Sequence, residues 1–182
     1  MQNIYILQQK INMLDEIKNI VIETDRFLLR EISLEEVNIN YLSWFQDPIV
    51  KKEISAQYSI DELLKLKKYV KEKLLSDDCL FFGIFEKVSN EHVGNIKYDP
   101  INLTNNSAVM GILIGNPSFR SIGLAGEVML AMEQLLKKYL NINKIILGVS
   151  LDNESAIKAY RKNGFEFSSS VELNSSFMEK NI

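Results

Sequence analysis

A glycine-rich joint between residues 115 and 126 sets the strongest limit on the architecture of this chain. It follows the apolar stretch 108–114 and leads into a helix-forming run from about residue 124 to 140. Three small residues lie at the helical end of the joint: Gly123, Ala125 and Gly126. A helix that starts directly after a strand leaves backbone N–H groups without partners at the positive end of its dipole. Such a joint is typical of an anion-binding turn, and a plain strand-to-helix turn explains the same residues equally well.

Periodicity and turn residues divide the rest of the chain into helices and strands. Apolar spacing and capping signatures predict further helices, over residues 3–19, 33–45, 59–75 and 153–162. Alternating or continuous apolar runs predict strands, over residues 20–32, 80–85, 92–99, 108–114, 144–149, 166–173 and 176–182. We expect Asp47–Pro48 to end the helix that opens at Ser33 and Glu36, because proline cannot continue the helical ladder. The order of elements predicts an α/β fold of the α+β type, a mixed, mostly antiparallel sheet flanked by helices.

Charge and hydropathy exclude several classes of partner. The chain has 182 residues, which suits one domain, with 21 basic and 24 acidic residues and a net charge of −3. Its strongest basic stretch, residues 65–73, is interrupted by apolar residues at helical spacing, so we interpret it as a solvated helix face and expect no nucleic acid. The sequence contains no apolar run of about 18 residues, so we expect no membrane span. The N-terminus lacks the pattern of a secretory signal, and we expect a cytoplasmic protein.

One cysteine and one histidine limit the chemistry further. Cys79 precedes an apolar run and is interpreted as a buried structural thiol, with no disulfide framework. Together with His92 it offers no cluster of metal ligands, so we expect no metal.

Other stretches stand in a fixed order around the joint. Residues 23–30 read Glu-Thr-Asp-Arg-Phe-Leu-Leu-Arg, and residues 92–96 read His-Val-Gly-Asn-Ile. Residues 153–165 read Asn-Glu-Ser-Ala-Ile-Lys-Ala-Tyr-Arg-Lys-Asn-Gly-Phe. Within the joint, three residues match the pattern Gln/Arg-x-x-Gly-x-Gly/Ala: Arg120, Gly123 and Ala125. Together these stretches resemble the GNAT superfamily of N-acetyltransferases, and by pattern its ribosomal-protein-alanine acetyltransferase branch.

The resemblance divides the chain and names a donor. Residues 20–182 are similar to a GNAT domain, and residues 1–19 form an amphipathic helical extension that docks on the sheet or supports a dimer. The resemblance implies acetyl-CoA as co-substrate, with its pyrophosphate on the backbone amides of the joint. The expected cofactor-binding residues are Ile112, Leu113, Ile114, Arg120, Ser121, Ile122, Gly123, Leu124, Ala125, Gly126, Asn153, Ala156 and Tyr160.

The resemblance also implies individual roles. The strand 111–114 pairs with the pantetheine amides, and one of its N–H groups polarises the thioester carbonyl. Asn153 holds the pantetheine arm, beside its ordinary role as a helix N-cap. Tyr160 is the expected catalytic residue and protonates the departing thiolate. The alternative reading of Tyr160 is a core aromatic that shares an apolar face with Ile157 and Phe165.

The general base departs from the family pattern. Val109 stands where related sequences often carry a glutamate. We expect His92 to lie away from the splayed end of the fourth family strand and to be structural or exposed. Tyr98 and Asp99 are weaker candidates to face the acceptor. The acceptor pocket is expected around Trp44, Phe45 and Tyr58, with Asp47 and Glu53 as solvated surface charges or contacts for a cation.

The expected reaction is direct attack of a primary amine on the thioester. A small amine such as a nucleotide-linked amino sugar is the favoured acceptor, because no peptide-binding feature is visible. The alternatives are a protein N-terminal α-amine and a non-catalytic CoA-binding or partner-binding module. The chain is expected to be a monomer or a homodimer.

Overall fold

The computed structural model describes residues 12–54, 58–59, 61–172 and 175–182. The helices are α1 (residues 12–18), α2 (Ile39–Ser43), α3 (Pro48–Glu53), α4 (Leu63–Leu74), α5 (Leu124–Leu135) and α6 (Glu154–Lys162). The strands are β1 (Ile22–Glu23), β2 (Phe27–Glu31), β3 (Leu80–Glu86), β4 (His92–Asn102), β5 (Ser107–Ile114), β6 (Lys144–Ser150), β7 (Glu166–Glu172) and β8 (Ser175–Asn181).

The strands form one sheet with the order β1-β2-β3-β4-β5-β6-β8-β7. Neighbours pair antiparallel except β5 and β6, which run parallel. The predicted mixed, mostly antiparallel sheet is confirmed. The parallel pair matters most, because β5 and β6 are joined through α5 and mark the place where the chain crosses the sheet.

Each face of the sheet has its own apolar core. Alternation along a strand sends neighbouring side chains to opposite faces. On the face covered by α5, Phe82 and Ile96 pack with Val128. On the face covered by α2 and α4, Phe81 packs with a second cluster that includes Trp44, Phe45, Leu66 and Val70. We refer to these as the α5 face and the α4 face.

The predicted helix over residues 33–45 is wrong in its start. Ser33 N–H does donate to Glu36, but the same carboxylate also binds Arg30, and the chain makes a turn there. The helix α2 begins only at Ile39, where the Asn38 side chain accepts from the N–H groups of the first turn. Asn38 has the extended backbone of an N-cap, so it sets the helix start.

Asp47–Pro48 starts a helix as well as ending one. A 3-10 turn over Trp44–Gln46 finishes at Asp47, and the Asp47 carboxylate then caps α3. Pro48 takes the first helical position, where no N–H is needed.

Two predicted helices, one before the joint and one after it, are found in part. Residues 3–11 of the predicted helix 3–19 lie outside the described residues. Leu14 and Ile17 are buried in the core of the α5 face, so this described part docks on its own sheet. The division into an extension and a domain stays a prediction. The long helix predicted to residue 140 is α5 followed by a π-helical turn over Leu136–Leu140.

Candidate active site

The parallel strands β5 and β6 separate halfway along. Their pairing covers Ser107–Val109 and stops at Val109 opposite Ile146. Beyond it, β5 continues to Ile114 and β6 continues beside β8. The far half of β5 therefore presents a strand edge inside the sheet, of the kind that pairs with an extended ligand.

Two N–H groups of β5 point into this gap. Gly115 N–H donates to Val93 O on β4, with N···O at 3.0 Å. Because successive N–H groups of a strand alternate in direction, those of Ile112 and Ile114 point away from β4. They are the backbone donors that the predicted thioester and pantetheine contacts need. Leu113 packs its side chain on the α4 face.

The joint after β5 begins α5 with exposed backbone. Ser121 and Gly123 have positive φ, at 61° and 85°. Gly123 is the residue before the helix, and no side chain caps the helix there. The N–H groups in the first turn of α5 are therefore available to donate hydrogen bonds. Residues 121–123 are exposed. The geometry fits a pyrophosphate at the positive end of α5, and the contribution of Ser121, Ile122, Leu124 and Ala125 through their amides stays a prediction.

Gly126 has a packing reason as well. A Cβ added there would come within 2.9 Å of Asn163 Oδ1, at the end of α6. The small residue therefore lets α5 and α6 approach, whatever the ligand requires.

A salt bridge that we did not predict braces the joint. Glu127 accepts hydrogen bonds from Thr24 Oγ1 at 2.6 Å and from Arg26 N at 2.8 Å, and it pairs with the Arg26 guanidinium. Arg26 also donates to Ile122 O at 3.0 Å. Burial alone would raise the pKa of Glu127, but Thr24 and Arg26 outweigh it and lower the pKa. The brace ties the β1–β2 turn to the joint; the sequence signal was the Thr-x-Arg stretch before β2.

Arg120 acts in the structure as a tie between the two faces. Its guanidinium donates to Ile114 O and Gly115 O and pairs with Asp47 Oδ2 at 3.0 Å. Burial alone would raise the pKa of Asp47, but the N–H of Ile49 and the Arg120 guanidinium lower it. Because the Arg120 side chain has these partners, only the backbone N–H of Arg120 is left for the predicted contact with CoA, which stays a prediction. Asp47 is a cap and an ion-pair partner, which corrects the expectation of a solvated charge.

Asn153 and Tyr160 of the α6 segment both make local structural contacts. Asn153 Oδ1 accepts from Ala156 N at 3.0 Å, so the N-cap role is confirmed and the pantetheine contact stays a prediction. The Tyr160 ring packs edge-on against Phe165 at 5.9 Å between centroids. Burial, and secondarily the charge of Glu53, raises the pKa of Tyr160 to about 12. The hydroxyl is therefore protonated at neutral pH, as a proton donor must be.

The α4 face forms the other side of the gap. Val109, at the last paired position of β5, is half-buried and offers no carboxylate. A Cβ on Gly111 would meet no atom within 4 Å, so the space above it is open. Trp44 lies directly on Gly115, where a Cβ would overlap its indole ring. The rings of Phe45 and Tyr58 pack at 4.8 Å.

Two candidate residues lie elsewhere than expected. His92 is next to the splayed end of β5, because Gly94 of the antiparallel β4 pairs with Ile114. It is enclosed by the rings of Tyr41, Trp44 and Phe85, and burial lowers its pKa. Its predicted structural role agrees with this burial; its predicted position is wrong.

Tyr98 is fully buried in the core of the α5 face, so it cannot face the acceptor. Asp99, its neighbour along β4, pairs with Lys97 and Lys73. Adjacent strand residues point to opposite faces, which is why only one of the two was available to the acceptor. Cys79 is buried, and burial raises the pKa of its thiol to about 12, as a structural thiol requires.

The described residues contain neither a cluster of metal ligands nor a membrane-spanning helix. Among residues 12–54, 58–59, 61–172 and 175–182, no three His, Cys, Asp or Glu side chains come together to hold a metal. The helices of this part of the chain include none long and apolar enough to cross a bilayer.

Comparisons with solved structures agree with the fold. An acetyltransferase from Salmonella typhimurium that modifies the N-terminal serine of a 50S ribosomal subunit protein has a TM-score of 0.77 and 18% identity, over 90% of this chain and 99% of that one. A microcin self-immunity acetyltransferase in complex with acetyl-CoA and AMP has a TM-score of 0.75 and 16% identity, over 87% and 93%. A chimera of Vibrio cholerae spermidine N-acetyltransferase and hSSAT has a TM-score of 0.71 and 16% identity, over 85% and 95%.

A family model gives the assignment that these distant structures cannot give. No curated protein matches the chain. The model of the GNAT acetyltransferase domain matches residues 26–166, most of the chain, and spans β2, the splayed strands, the joint and α6. The chain belongs to the GNAT acetyltransferase family and is an acetyl-CoA-dependent N-acetyltransferase.

Proposed function

We propose that this enzyme acetylates the primary amine of a small molecule, and that an amino sugar, free or nucleotide-linked, is the favoured acceptor. The observation that carries the proposal is the short open stretch over β5 at Gly111. Trp44 covers the strand end at Gly115, and Lys97 stands beside Gly111 on β4. A small amine fits this stretch better than a peptide, which needs a long groove.

The chemistry follows from the residues around the splay. The N–H groups of Ile112 and Ile114 orient and polarise the thioester carbonyl, and they stabilise the oxyanion that forms on attack. Tyr160 donates its proton to the departing sulfur, and the proton that the attacking nitrogen loses on forming the amide returns to Tyr160 through water. Acetyl-CoA supplies the acyl group; the joint at residues 121–126 binds its pyrophosphate with backbone amides.

The missing carboxylate at Val109 favours an amine of low pKa. A lysine-like amine with a pKa near 10.4 is neutral in about one molecule in a thousand at pH 7.4, whereas an α-amine near 7.7–8.0 is neutral in roughly a fifth to a third. Amino-sugar amines also titrate well below lysine. An enzyme without a base at Val109 therefore depends on an acceptor that is already partly neutral.

A protein N-terminal α-amine is the second candidate. Its amine also has a low pKa, and the Salmonella acetyltransferase of similar fold modifies an N-terminal serine. An acceptor panel separates the two candidates. It contains hexosamines, a heptapeptide with a free N-terminus, spermidine and Nα-blocked lysine, and the reaction is measured by release of the CoA thiol.

The donor half is tested first by thermal shift with acetyl-CoA, with ATP as an anion control. A ligand at 100 times its Kd adds about 2.7 kcal/mol to the free energy of unfolding, which is roughly 5–10 °C for a domain of this size. We expect this rise with acetyl-CoA and little with ATP. Equal rises, or faster turnover of spermidine and lysine than of hexosamines and α-amines, would contradict the proposal.

A further inference from the structure

We propose that an anion-binding subsite lies beside the reacting amine and that the acceptor carries a phosphate or carboxylate group. The subsite is the lysine cluster, defined as Tyr69 and Lys73 of α4 with Lys97 and Asp99 of β4. The inference rests on the proposed function, because it concerns the acceptor of that reaction.

The lysine cluster is held together by short polar contacts. Lys97 Nζ lies 2.9 Å from Asp99 Oδ2 and donates to Tyr69 Oη at 2.9 Å. Lys73 Nζ reaches the same carboxylate oxygen at 2.7 Å. These contacts fix two ammonium groups and a phenol between α4 and β4, on the α4 face.

The cluster carries an excess of positive charge. Two lysines share one aspartate, which leaves a net charge of +1. Burial alone would lower the pKa of Lys97, but Tyr69 and Asp99 outweigh it and raise the pKa, so the ammonium form persists at neutral pH. The carboxylates that flank α4 in the chain have other partners: Glu62 pairs with Lys65, and Asp78 accepts from Ser76.

The cluster also remains open to a ligand. The Lys73 and Lys97 side chains keep 29% and 25% of their exposure, whereas Asp99 keeps 14%. The cations are thus more accessible than the anion between them. A charge in such a partly buried place acts through a lower effective dielectric than in bulk water and binds an opposite charge more strongly.

The register of the sheet places the cluster next to the reaction. Lys97 on β4 is paired with Gly111 on β5, in the half of β5 that β6 leaves free. Gly111 precedes Ile112, whose N–H faces the gap, and the space above Gly111 is open. Neighbouring strands lie about 4.8 Å apart. An anionic group a few bonds from the acceptor amine therefore falls within reach of Lys97.

This chemistry selects a class of acceptor. Ammonium and phenol donors bind phosphate and carboxylate oxygens through charge-assisted hydrogen bonds. The same charge repels a second ammonium group, so it disfavours polyamines. Amino-sugar phosphates and nucleotide-linked amino sugars share the required pair of a low-pKa amine and an anion.

Matched acceptors test the subsite. We compare kcat/KM for glucosamine 6-phosphate with glucosamine, and for L-alanylglycine with L-alanylglycinamide, which separates phosphate from carboxylate as the source. The anionic member of one pair should be favoured at least about tenfold, which is the effect of one charge-assisted hydrogen bond. Binding of glucosamine 6-phosphate in the presence of CoA is measured by calorimetry as a second readout.

The variants are chosen to move the preference in opposite directions. Lys97→Gln should lower kcat/KM for glucosamine 6-phosphate at least about tenfold more than kcat/KM for glucosamine, since only the anionic acceptor uses the ammonium group. Asp99→Asn should increase the preference, because it removes the only carboxylate of the cluster. Lys71→Gln, on the exposed side of α4, is the matched control and should leave it unchanged. A merely structural role would lower all rates in both cluster variants.

The failures of the two proposals are distinguishable. No preference for either anion, or an equal loss for both members of a pair in Lys97→Gln, would overturn the subsite with the enzyme still active. If no amine is acetylated, the proposed function fails; calorimetry then decides the subsite alone, because binding that weakens in Lys97→Gln supports it and absence of binding to the wild type rejects it.

Discussion

The donor side and the acceptor side of the gap are built from different materials. On the donor side, residues 112–126 present backbone N–H groups at a free strand edge and a helix start. On the acceptor side, α2 to α4 and β4 present side chains: rings, lysines and an aspartate. Backbone donors depend on the path of the chain, whereas side chains change with each substitution. The fold can therefore keep one donor while its acceptor varies.

The two sides are mechanically joined at the end of β5. Arg120 lies within the joint and pairs with Asp47, the N-cap of α3. Trp44 lies on Gly115, with no room for a Cβ between them. A change of either contact should therefore affect both sides of the gap.

The largest effect is expected for Tyr160→Phe. The variant keeps the ring that packs on Phe165 and removes only the proton donor. Loss of a general acid should lower kcat by roughly 100-fold or more, with little change in the Kd of acetyl-CoA. Stopped-flow and calorimetry measure the two quantities. Tyr139→Phe, at an exposed position, is the control, and an unchanged kcat in Tyr160→Phe would mean that this tyrosine serves only as a core aromatic.

Gly123→Val should come next, because it changes the path of the donor backbone. At φ of 85° a β-branched residue is strained by roughly 1–3 kcal/mol. If the joint shifts to relieve this strain, acetyl-CoA affinity should fall roughly 10- to 100-fold. Asparagine tolerates this backbone region, so Gly123→Asn should keep most of the affinity. Equal losses in both variants would mean that the glycine is needed for space and not for its conformation.

Arg120→Met breaks the tie between the sides. It leaves the Asp47 carboxylate and two carbonyls without their charged partner, which should cost about 2 kcal/mol of unfolding free energy. For a domain of this size the melting temperature falls by roughly 4–8 °C. Differential scanning calorimetry measures it, with Lys52→Met on exposed α3 surface as control. If the Kd of acetyl-CoA rises but acceptor KM does not, the tie serves the donor side alone.

The fold was largely predictable because its signals are local. The joint at residues 115–126 combines glycines with the start of a helix, and turn residues separate the apolar runs of β3, β4 and β5. The start of α2 was not predictable in the same way. Ser33 and Glu36 carry a capping signature, yet Arg30 binds the Glu36 carboxylate, and Asn38 sets the helix start instead.

The acceptor side was predicted less well for a physical reason. The lysine cluster depends on α4 packing over β4, and no local sequence pattern predicts that packing. The choice between Tyr98 and Asp99 was readable, since neighbours in a strand face opposite sides. The brace of Glu127 joins residues about a hundred positions apart, and only the fold brings them together.

The smallest effect is expected from His92, and it tests whether the acceptor side is a fixed wall. Burial among Tyr41, Trp44 and Phe85 lowers the pKa of His92, so as pH falls the unfolded chain takes up this proton first. The free energy of unfolding is then unaffected above about pH 6.5 and decreases below it until the folded-state pKa is reached, by at most about 1.4 kcal/mol per pH unit. Urea unfolding at pH 7.5, 6.5 and 5.5 should show this loss in the wild type and a smaller loss in His92→Phe. The chain has one histidine, so no other imidazole contributes. Identical slopes would mean that water reaches His92 and that the rings around it open in solution, which would make the acceptor side as adaptable in motion as it is in sequence.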